Sequence, residues 1–245
     1  MSRASGPFVV NTHLDAPDNG TLDLATGQFI SGNTDEGIYV YASVSTYVGW
    51  TNYIGVGLDL TTSLGNGADG IRLDDATNSD VQPGIVANNR GAGAAVVGAS
   101  AVGNKIFFYI VRNNAGLPID LNADGATPND AGDADLGPNL RQNFPAITGV
   151  SGTVVTGTTC FSCTVFIYRA HGNPAAAGGG GLFIGTAFAN AAGSWTFGFL
   201  PPGLTRFDLS AAACDTTPCV AFGNTSEMSP RWQQILPAIF RLYSE

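Results

Sequence analysis

Residues 85–100 of this chain read IVANNRGAGAAVVGAS: a short apolar run, an asparagine pair, a glycine corner and a second apolar run. The first part of this unit returns 25 residues later as IVRNN at 110–114. Related units precede it as GNTDEGIYVYAS at 32–43 and GNGADGIRLDDA at 65–76. Self-similarity at a period of about 20–50 residues indicates a solenoid, in which units stack rather than close into one globule.

The type of solenoid follows from the corners of these units. Gly37, Gly70, Gly93 and Pro118 occupy equivalent positions, separated by 33, 23 and 25 residues. Two short strands per unit, without regular leucine spacing, favour a parallel β-helix over a leucine-rich repeat. Asparagine tolerates left-handed backbone at a corner, and its amide stacks well on a copy in the next coil. The 33-residue step predicts one coil with a protruding loop.

Composition restricts the class of protein and its partners. Hydrophobic residues make up 44% of the chain and charged residues 12%, with 33 glycines among 245 residues, which favours an all-β fold. A net charge of −9 argues against nucleic acid or an anionic membrane as a partner, because both require a basic face. No apolar run reaches about 18 residues, so no transmembrane segment is expected. The opening MSRASGPFVV shows no signal peptide.

The second half of the chain has a different residue pattern: the predicted strands are longer, and turn signals recur at the spacing of a β-sandwich. We expect Trp195 and Phe197 to point into its core together with Phe183 and Phe166. Strands are predicted at 151–157, 163–170, 181–190, 193–199, 205–213 and 220–229. The chain therefore divides into a β-helix with an N-terminal cap strand (1–139), a sandwich (140–230) and an apolar tail (231–245).

Four cysteines form two close pairs, Cys160 with Cys163 and Cys214 with Cys219. Structural zinc also requires four ligands at one locus, and the two turns supply them if they meet in space. The scarcity of lysine and arginine is more typical of exported surfaces than of cytosolic enzymes. Two disulfides, and hence an oxidising compartment, are therefore favoured over a zinc site or free thiols. Of the three possible pairings, we take adjacent pairing within each turn first.

An acidic stretch at 113–139, NNAGLPIDLNADGATPNDAGDADLGPN, separates the two halves. Its D-x-N-x-D-G segment resembles the opening of a calcium loop, although Ala131 stands where an EF-hand has its glutamate. The alternative is a solvated acidic turn that caps the solenoid without an ion. Carboxylates so close together repel one another, so calcium stands beside the ion-free turn as an equal interpretation: a cofactor that would join the modules and do no chemistry. The candidate ligands are Asp120, Asn122, Asp124, Asp130, Asp133 and Asp135.

Catalysis is the weaker interpretation of the carboxylates. Asp74 and Asp75 beside Arg72 suggest a polysaccharide-degrading site, but neighbouring residues in a strand point to opposite faces. Glycoside hydrolysis requires two carboxyls about 5–10 Å apart. Stacked coils could provide that distance, yet Ala42 and Gly98 stand near the aligned positions. We therefore predict that no residue is catalytic.

Three or four coils, with strands about 4.8 Å apart, make a rod near the minimum for a stable stack. The apolar segment KIFFYIV at 105–111 and the tail RWQQILPAIFRLYSE at 231–245 then require cover. A contact between neighbouring subunits supplies it, and a heterologous contact that does not close builds a fibre. The residues expected to take part in assembly are Phe107, Phe108, Tyr109, Trp232, Ile235, Leu236, Ile239 and Phe240.

Four segments carry a resemblance to a family: FVVNTHLDAPD at 8–18, NYIGVGLDLTTSLGNGADGIRLD at 52–74, residues 101–139, and QNFPAITGVSG at 142–152. They resemble large bacterial exported proteins with a CSLREA-type start, right-handed parallel β-helix repeats and a C-terminal immunoglobulin-like module. The resemblance implies an all-β protein: a short right-handed parallel β-helix followed by an immunoglobulin-like β-sandwich. The sequence departs from the family by lacking the cysteine-containing signature after FVVNT and by placing Pro118 at a usual glycine.

These features predict a non-enzymatic structural or adhesive protein, extracellular or on a cell surface, that self-assembles into a filament or sheath through tail or strand exchange. Copies of the chain itself are the expected partner. The alternative is a carbohydrate-binding or polysaccharide-degrading β-helix protein with surface glycans as partners. A third interpretation is a stalk fragment of a larger adhesin.

Overall fold

The computed structural model describes residues 12–15, 23–24, 28–176 and 179–231. Within these ranges the chain is all-β: nineteen strands are joined by turns and by two short 3-10 segments, Pro138–Arg141 and Arg206–Asp208. No helix in this part of the chain has the length and apolar character needed to cross a membrane. The predicted fold class is confirmed.

The first half winds into a parallel β-helix with three sheets. Sheet A contains β1 (Thr12–Asp15), β4 (Ile38–Tyr41), β7 (Ile71–Asp74), β10 (Ala94–Val97) and β13 (Ile119–Leu121). Sheet B contains β2 (Asp23–Leu24), β5 (Tyr47–Val48), β8 (Asp80–Val81) and β11 (Lys105–Ile106). Sheet C begins with β3 (Phe29–Ile30), β6 (Tyr53–Ile54), β9 (Ile85–Ala87) and β12 (Ile110–Arg112). Isoleucine and valine from all three sheets point inward and form the core.

The predicted repeat alignment is confirmed by the register of sheet A. The strands pair at Ile38, Ile71, Ala94 and Ile119, each one residue after an aligned corner. A Cβ atom on Gly70 would lie 2.7 Å from the carbonyl oxygen of Gly93, and one on Gly93 would lie 2.5 Å from that of Pro118, so stacked corners require glycine. Pro118 lies in the last coil, where no further coil requires its missing N–H, and proline is therefore tolerated.

An asparagine ladder runs through the interior of the β-helix at the corner before sheet A. The Nδ2 atoms of Asn33, Asn66 and Asn89 donate to the Oδ1 atom of the next asparagine at 2.9, 2.8 and 2.8 Å. The same Oδ1 atoms accept the backbone N–H of the preceding coil at 3.0–3.1 Å. Asn114 ends the ladder by donating to the carbonyl of Val86. The predicted asparagine stack is confirmed, and it pairs polar groups that burial would otherwise leave unsatisfied.

The second half forms two antiparallel sheets. One contains β14 (Ala146–Ser151), β15 (Val154–Thr158) and β18 (Ser194–Phe197), and the other contains β16 (Thr164–His171), β17 (Gly180–Phe188) and β19 (Leu209–Cys214). The orders β14-β15-β18 and β17-β16-β19 match those of an immunoglobulin-like sandwich. Trp195 and Phe197 point into the core between the sheets, as predicted.

The two halves share one sheet, which the sequence did not reveal. β17 pairs antiparallel with β12, through Ile110 with Leu182 and Val111 with Gly181. Sheet C therefore continues from the β-helix into the sandwich as seven strands, β3-β6-β9-β12-β17-β16-β19. Because β12 finds its next neighbour in β17, this edge of the last coil has no exposed row of backbone groups.

Strand β16 is buried on both faces because it lies between two cores. Val165 and Ile167 face the interior of the sandwich, whereas Phe166 and Tyr168 face the core of the β-helix. Phe183 also packs against the β-helix core. The prediction that Phe166 and Phe183 lie in the sandwich core is wrong, since alternation along a strand cannot say what covers each face.

Residues 223–227 close the other two sheets at the end of the β-helix. Gly103 N–H donates to Asn224 Oδ1 at 2.7 Å, and Ile106 N–H donates to Thr225 Oγ1 at 2.9 Å. In sheet A, Leu121 N–H donates to Glu227 Oε1 at 3.1 Å. The predicted strand at 220–229 is wrong: this stretch makes a single isolated bridge, at Thr225, because the side chains of Ser226 and Ser229, and not backbone carbonyls, accept the N–H groups of Ala213 and Ala211 in β19.

The apolar segment 105–111 is covered within the chain. Phe108 is fully buried and Phe107 is 7% exposed, with Phe107 centred 5.2 Å from Phe166 and 4.7 Å from Phe183. Tyr109 is partly buried beside Phe183. The assignment of Phe107 and Phe108 to assembly is therefore corrected: they join the two modules. The other assembly residues (Trp232, Ile235, Leu236, Ile239 and Phe240) lie outside the described residues.

Both predicted disulfides are present with adjacent pairing, Cys160 to Cys163 and Cys214 to Cys219. The zinc alternative is excluded for these four sulfur atoms, because each is already bonded to another sulfur. Cys214 and Cys219 belong to the β-helix-facing core and Cys163 to the sandwich core.

Candidate functional site

The acidic loop, residues 122–137, lies between the last strand of the β-helix and the start of the sandwich. Its far end is anchored in the β-helix: Asn104 N–H donates to Asn139 Oδ1 at 3.0 Å, and Asn139 Nδ2 donates to the carbonyls of Asn104 and Thr225. Its middle folds back on residues 142–144, where Asn129 and Phe144 exchange two hydrogen bonds of 2.8 and 2.9 Å. The loop therefore contacts both modules.

Three of the predicted calcium ligands come together in this loop. Asp130, Asp133 and Asp135 bring carboxylate oxygens within 4.8 Å of one another. Asn143 holds two of them, because its N–H donates to Asp133 Oδ1 at 2.8 Å and its Oδ1 accepts the N–H of Asp130 at 2.9 Å. The Oδ1 atom of Asp135 is buried without a partner among the described residues. The cluster thus contains a carboxylate oxygen that lacks a donor.

The electrostatics of the cluster favour a cation. Burial raises the pKa of Asp133, the N–H of Asn143 lowers it, and the nearby charges of Asp130 and Asp135 raise it again. A hard divalent cation reverses these effects, because it replaces lost solvation and cancels the repulsion. Calcium takes six to eight oxygen ligands, so the three carboxylates would supply only part of its shell, and carbonyls or water would have to supply the rest.

The other three predicted ligands form a separate hydrogen-bonded turn. Asn122 Nδ2 donates to Asp124 Oδ2 at 2.8 Å, and Asp124 pairs with Arg141 at 3.5 Å. Asp120 is buried and accepts the N–H of Gly125 at 3.3 Å. Among the described residues, the carboxylates of Asp120 and Asp124 do not belong to the cluster. The six predicted ligands therefore do not form one calcium site. The candidate site is reduced to the three carboxylates of Asp130, Asp133 and Asp135.

Glu227 was missed by sequence reasoning although it organises the start of this loop. Its carboxylate accepts the N–H groups of Leu121 at 3.1 Å and Thr127 at 2.9 Å, which lie 106 and 100 positions away in the sequence. Burial raises the pKa of Glu227 to about 7, against the lowering effect of these N–H donors. In the sequence it is one glutamate in a predicted sandwich strand, and no local signal marks it.

Glu227 predicts a pH dependence of stability. The folded protein binds a proton on this group more tightly than the unfolded chain does, whose reference pKa is 4.5. Its contribution to the free energy of unfolding is therefore complete in acid and is lost as pH rises from about 4.5 through about 7, by up to about 3 kcal/mol. Burial also raises the pKa values of Asp80, Asp120 and Asp133, which act in the same direction.

Glu227→Gln isolates this contribution. Urea unfolding at pH 5 and pH 8 is expected to show a smaller loss of stability with rising pH than in the wild type, because glutamine stays neutral. Asp35→Asn, at an exposed position, is the control and should keep the wild-type dependence. An unchanged pH dependence in Glu227→Gln contradicts the assignment.

The carboxylates considered for catalysis are occupied by structural hydrogen bonds. Asp74 Oδ2 accepts the hydroxyl of Tyr39 at 3.0 Å, and Asp75 Oδ1 accepts the hydroxyl of Ser100 at 2.6 Å. Arg72 pairs with Asp69 at 3.1 Å. Asp75 has a φ of 49°, so it has left the strand and does not share a face with Asp74.

No protein-family model matches this chain, and no curated protein matches it. The fold and the site define a class by themselves: an all-β protein in which a parallel β-helix shares a sheet with an immunoglobulin-like sandwich, with an acidic loop at the junction. The resemblance to bacterial exported β-helix proteins stays a prediction.

Proposed function

We propose that this chain is a non-enzymatic structural or adhesive protein of an extracellular surface. The observation that carries the proposal is the seven-stranded sheet that runs without a break from the β-helix into the sandwich. Strands paired through backbone hydrogen bonds, with Phe107 packed across the junction, make the two modules one stiff body. Stiffness over two modules suits a component that spans distance or bears load.

Two further features support an extracellular place. Both cysteine pairs form disulfides, which persist in oxidising compartments. The net charge of −9 with only 10 lysines and arginines is typical of an exported surface.

The assembly proposed for this protein is a filament or sheath formed by exchange of the C-terminal tail or an edge strand. The end of the β-helix nearest the sandwich is closed within the chain by β17 and residues 223–227. Repetition therefore depends on a contact made elsewhere, between two different surfaces, and such a contact builds a filament when its rotation does not close a ring.

Light scattering over a concentration series, followed by electron microscopy, tests assembly. The full chain is expected to form fibres at high concentration, whereas a chain ending at Arg231 stays monomeric. Ile239→Asp with Phe240→Asp is the matched variant that keeps the length of the tail and removes its apolar character. A full-length protein that remains monomeric throughout contradicts the proposal.

We further propose that calcium binds Asp130, Asp133 and Asp135. Because the shared sheet and Phe107 already join the modules, the ion fastens the acidic loop to residues 142–144 and does not set the angle between the modules. This narrows the role assigned to calcium from the sequence alone. The unpartnered Oδ1 atom of Asp135 supports the site.

Calcium at about 10 mM is expected to stabilise the folded protein by about 1–3 kcal/mol, because sites of extracellular modules bind at about 0.1–1 mM. Thermal unfolding with calcium, magnesium and a chelator measures this. Asp133→Asn with Asp135→Asn should abolish the calcium effect, whereas Asp59→Asn, in another loop, should keep it. Equal responses to calcium and magnesium, or a response that survives the double substitution, exclude the site.

A second candidate function, carbohydrate binding, is favoured by one surface. Tyr39 and Tyr41 lie on the outer face of sheet A with ring centroids 6.5 Å apart and planes within 6°. They are in register with Arg72 and Asp74, and Tyr41 is 46% exposed. Aromatic faces beside polar groups are a common lining of ligand sites. Loss of glycan-array binding in Tyr41→Ala supports this function, and release of reducing ends extends it to cleavage.

A further inference from the structure

An apolar groove of about 500 Å³ follows the outer face of sheet C where the β-helix meets the sandwich. Its floor is one cross-strand row, because Ile110 pairs with Ile85 on one side and with Leu182 on the other. Leu60, from the loop that protrudes between β6 and β7, forms a wall and packs with Ile85 and Ile110. Leu182 is still 46% exposed, so the floor is only partly covered.

The rim of the groove is cationic although the protein is acidic. Arg112 and Arg169 supply the positive charges, and His171 also lines the rim. Arg112 Nη2 donates to the carbonyl of Leu60 at 3.2 Å, which fixes the guanidinium at the wall, and its buried Nε atom has no partner among the described residues. An occupant with an apolar face and an acceptor or carboxylate at one end complements this lining.

The described chain ends beside this groove. Arg231 N–H donates to Asn173 Oδ1 at 3.3 Å, and its Nη1 atom donates to the carbonyl of Gly172 at 3.4 Å. These two residues directly follow His171 on the rim. The fourteen residues 232–245 span at most about 50 Å when extended, so a segment that starts at Arg231 reaches the whole groove.

The composition of residues 232–245 matches the groove. Seven of the fourteen side chains are large and apolar: Trp232, Ile235, Leu236, Ile239, Phe240, Leu242 and Tyr243. Glu245 is the sole acidic residue of the segment, and the rim offers it two arginines. Burial of such side chains against Ile110 and Leu182 removes apolar surface from water on both partners.

We infer that this groove is the docking site for residues 232–245 of a copy of this chain. The inference rests on the proposed assembly and names its receiving surface. When the segment comes from a neighbouring copy, each subunit donates one tail and accepts another, and the contact is heterologous as a fibre requires.

Photo-crosslinking of the full-length protein tests the inference. Leu182→benzoylphenylalanine places the reactive group on the groove floor, and Phe199→benzoylphenylalanine, at a position 85% exposed outside the groove, is the control. Mass spectrometry identifies the crosslinked peptide, and gel mobility separates products within one chain from products between chains. The Leu182 probe is expected to capture residues 232–245, and the control is not.

A tail variant provides a second measurement that leaves the described residues unchanged. Phe240→Asp in the Leu182 probe protein is expected to lower the crosslink yield about ten-fold, because one buried aromatic contact is lost. Gln234→Asp, a change of a polar residue in the same segment, is the matched control for charge and should retain most of the yield.

The outcomes separate the two proposals. Capture between chains supports both the groove and assembly by tail exchange. Capture only within one chain places the chain's own tail in the groove, and it overturns both docking of a copy and assembly by tail exchange. Capture of residues 1–11 or of another surface in place of 232–245, no capture by the Leu182 probe, or an equal yield in Phe240→Asp overturns the groove.

Discussion

Asn89→Ala is expected to lower the free energy of unfolding by about 4 kcal/mol. Asn89 is 1% exposed, and its Oδ1 atom accepts both the N–H and the Nδ2 donors of Asn66. Alanine leaves these two buried donors without an acceptor, at about 1–3 kcal/mol each, and removes the donor to Asn114 as well. Asn89 is buried between the asparagines of the coils before and after it, so no water replaces its side chain. The substitution therefore interrupts the ladder in its middle.

Urea unfolding followed by far-ultraviolet circular dichroism measures this loss, and the adjacent residue supplies the control. Asn88 makes one side-chain bond, from Nδ2 to the carbonyl of Gly55, at a left-handed corner with φ of 62°. Asn88→Ala should therefore cost about 1–2 kcal/mol, from one hydrogen bond and the backbone preference. A cost for Asn89→Ala no larger than that for Asn88→Ala shows that the ladder does not stabilise the stack.

Phe107→Ala is expected to cost about 3–5 kcal/mol, the range for removing a buried phenylalanine ring. The ring lies between Tyr109 of the β-helix and Phe166 and Phe183 of the sandwich, with centroid distances of 4.9, 5.2 and 4.7 Å. It is also one of the contacts that hold β16 against the last coil. Its removal weakens both modules together, because they share the core to which it belongs.

Two probes distinguish a shared core from independent modules. Circular dichroism and the fluorescence of Trp195, in the sandwich core, should report the same shifted transition in Phe107→Ala when both are recorded in a background with Trp50→Phe and Trp232→Phe. Phe199→Ala, at a ring 85% exposed, should change stability by less than about 0.5 kcal/mol. Separate transitions, or a shift confined to one probe, contradict the shared core.

Much of the β-helix could be predicted from local pattern. The glycine corners, the Asn88–Asn89 and Asn113–Asn114 pairs and the long loop after Val56 were read from spacing, because each coil repeats the same steric problem. The disulfide pairings were also close in sequence. In the candidate site, proximity in the chain was enough to propose Asp130, Asp133 and Asp135, which lie within six positions.

The failures have one physical origin. The sequence correctly predicted that the side chains of Phe166, Phe183, Phe107 and Phe108 require cover. It did not predict which residues cover them. Residues 220–229 have the alternating pattern of a strand. The side-chain oxygens of Thr225 and Glu227, however, accept hydrogen bonds from backbone N–H groups more than 100 positions away. Alternation of apolar and polar residues predicts which face of a strand is buried. It does not predict which element packs on that face.

By itself, the sequence determined the stacked coils, because a repeated unit makes the same contact with each copy of itself and its period reveals that contact. It also determined the acidic loop and the cysteine pairs, which close short distances along the chain. Only the tertiary structure decided how the coil stack ends: β17 extends sheet C, and Glu227 and Thr225 satisfy the remaining edges. The residues that cover this end occur only once in the sequence. Their contacts therefore cannot be predicted from a repeat period.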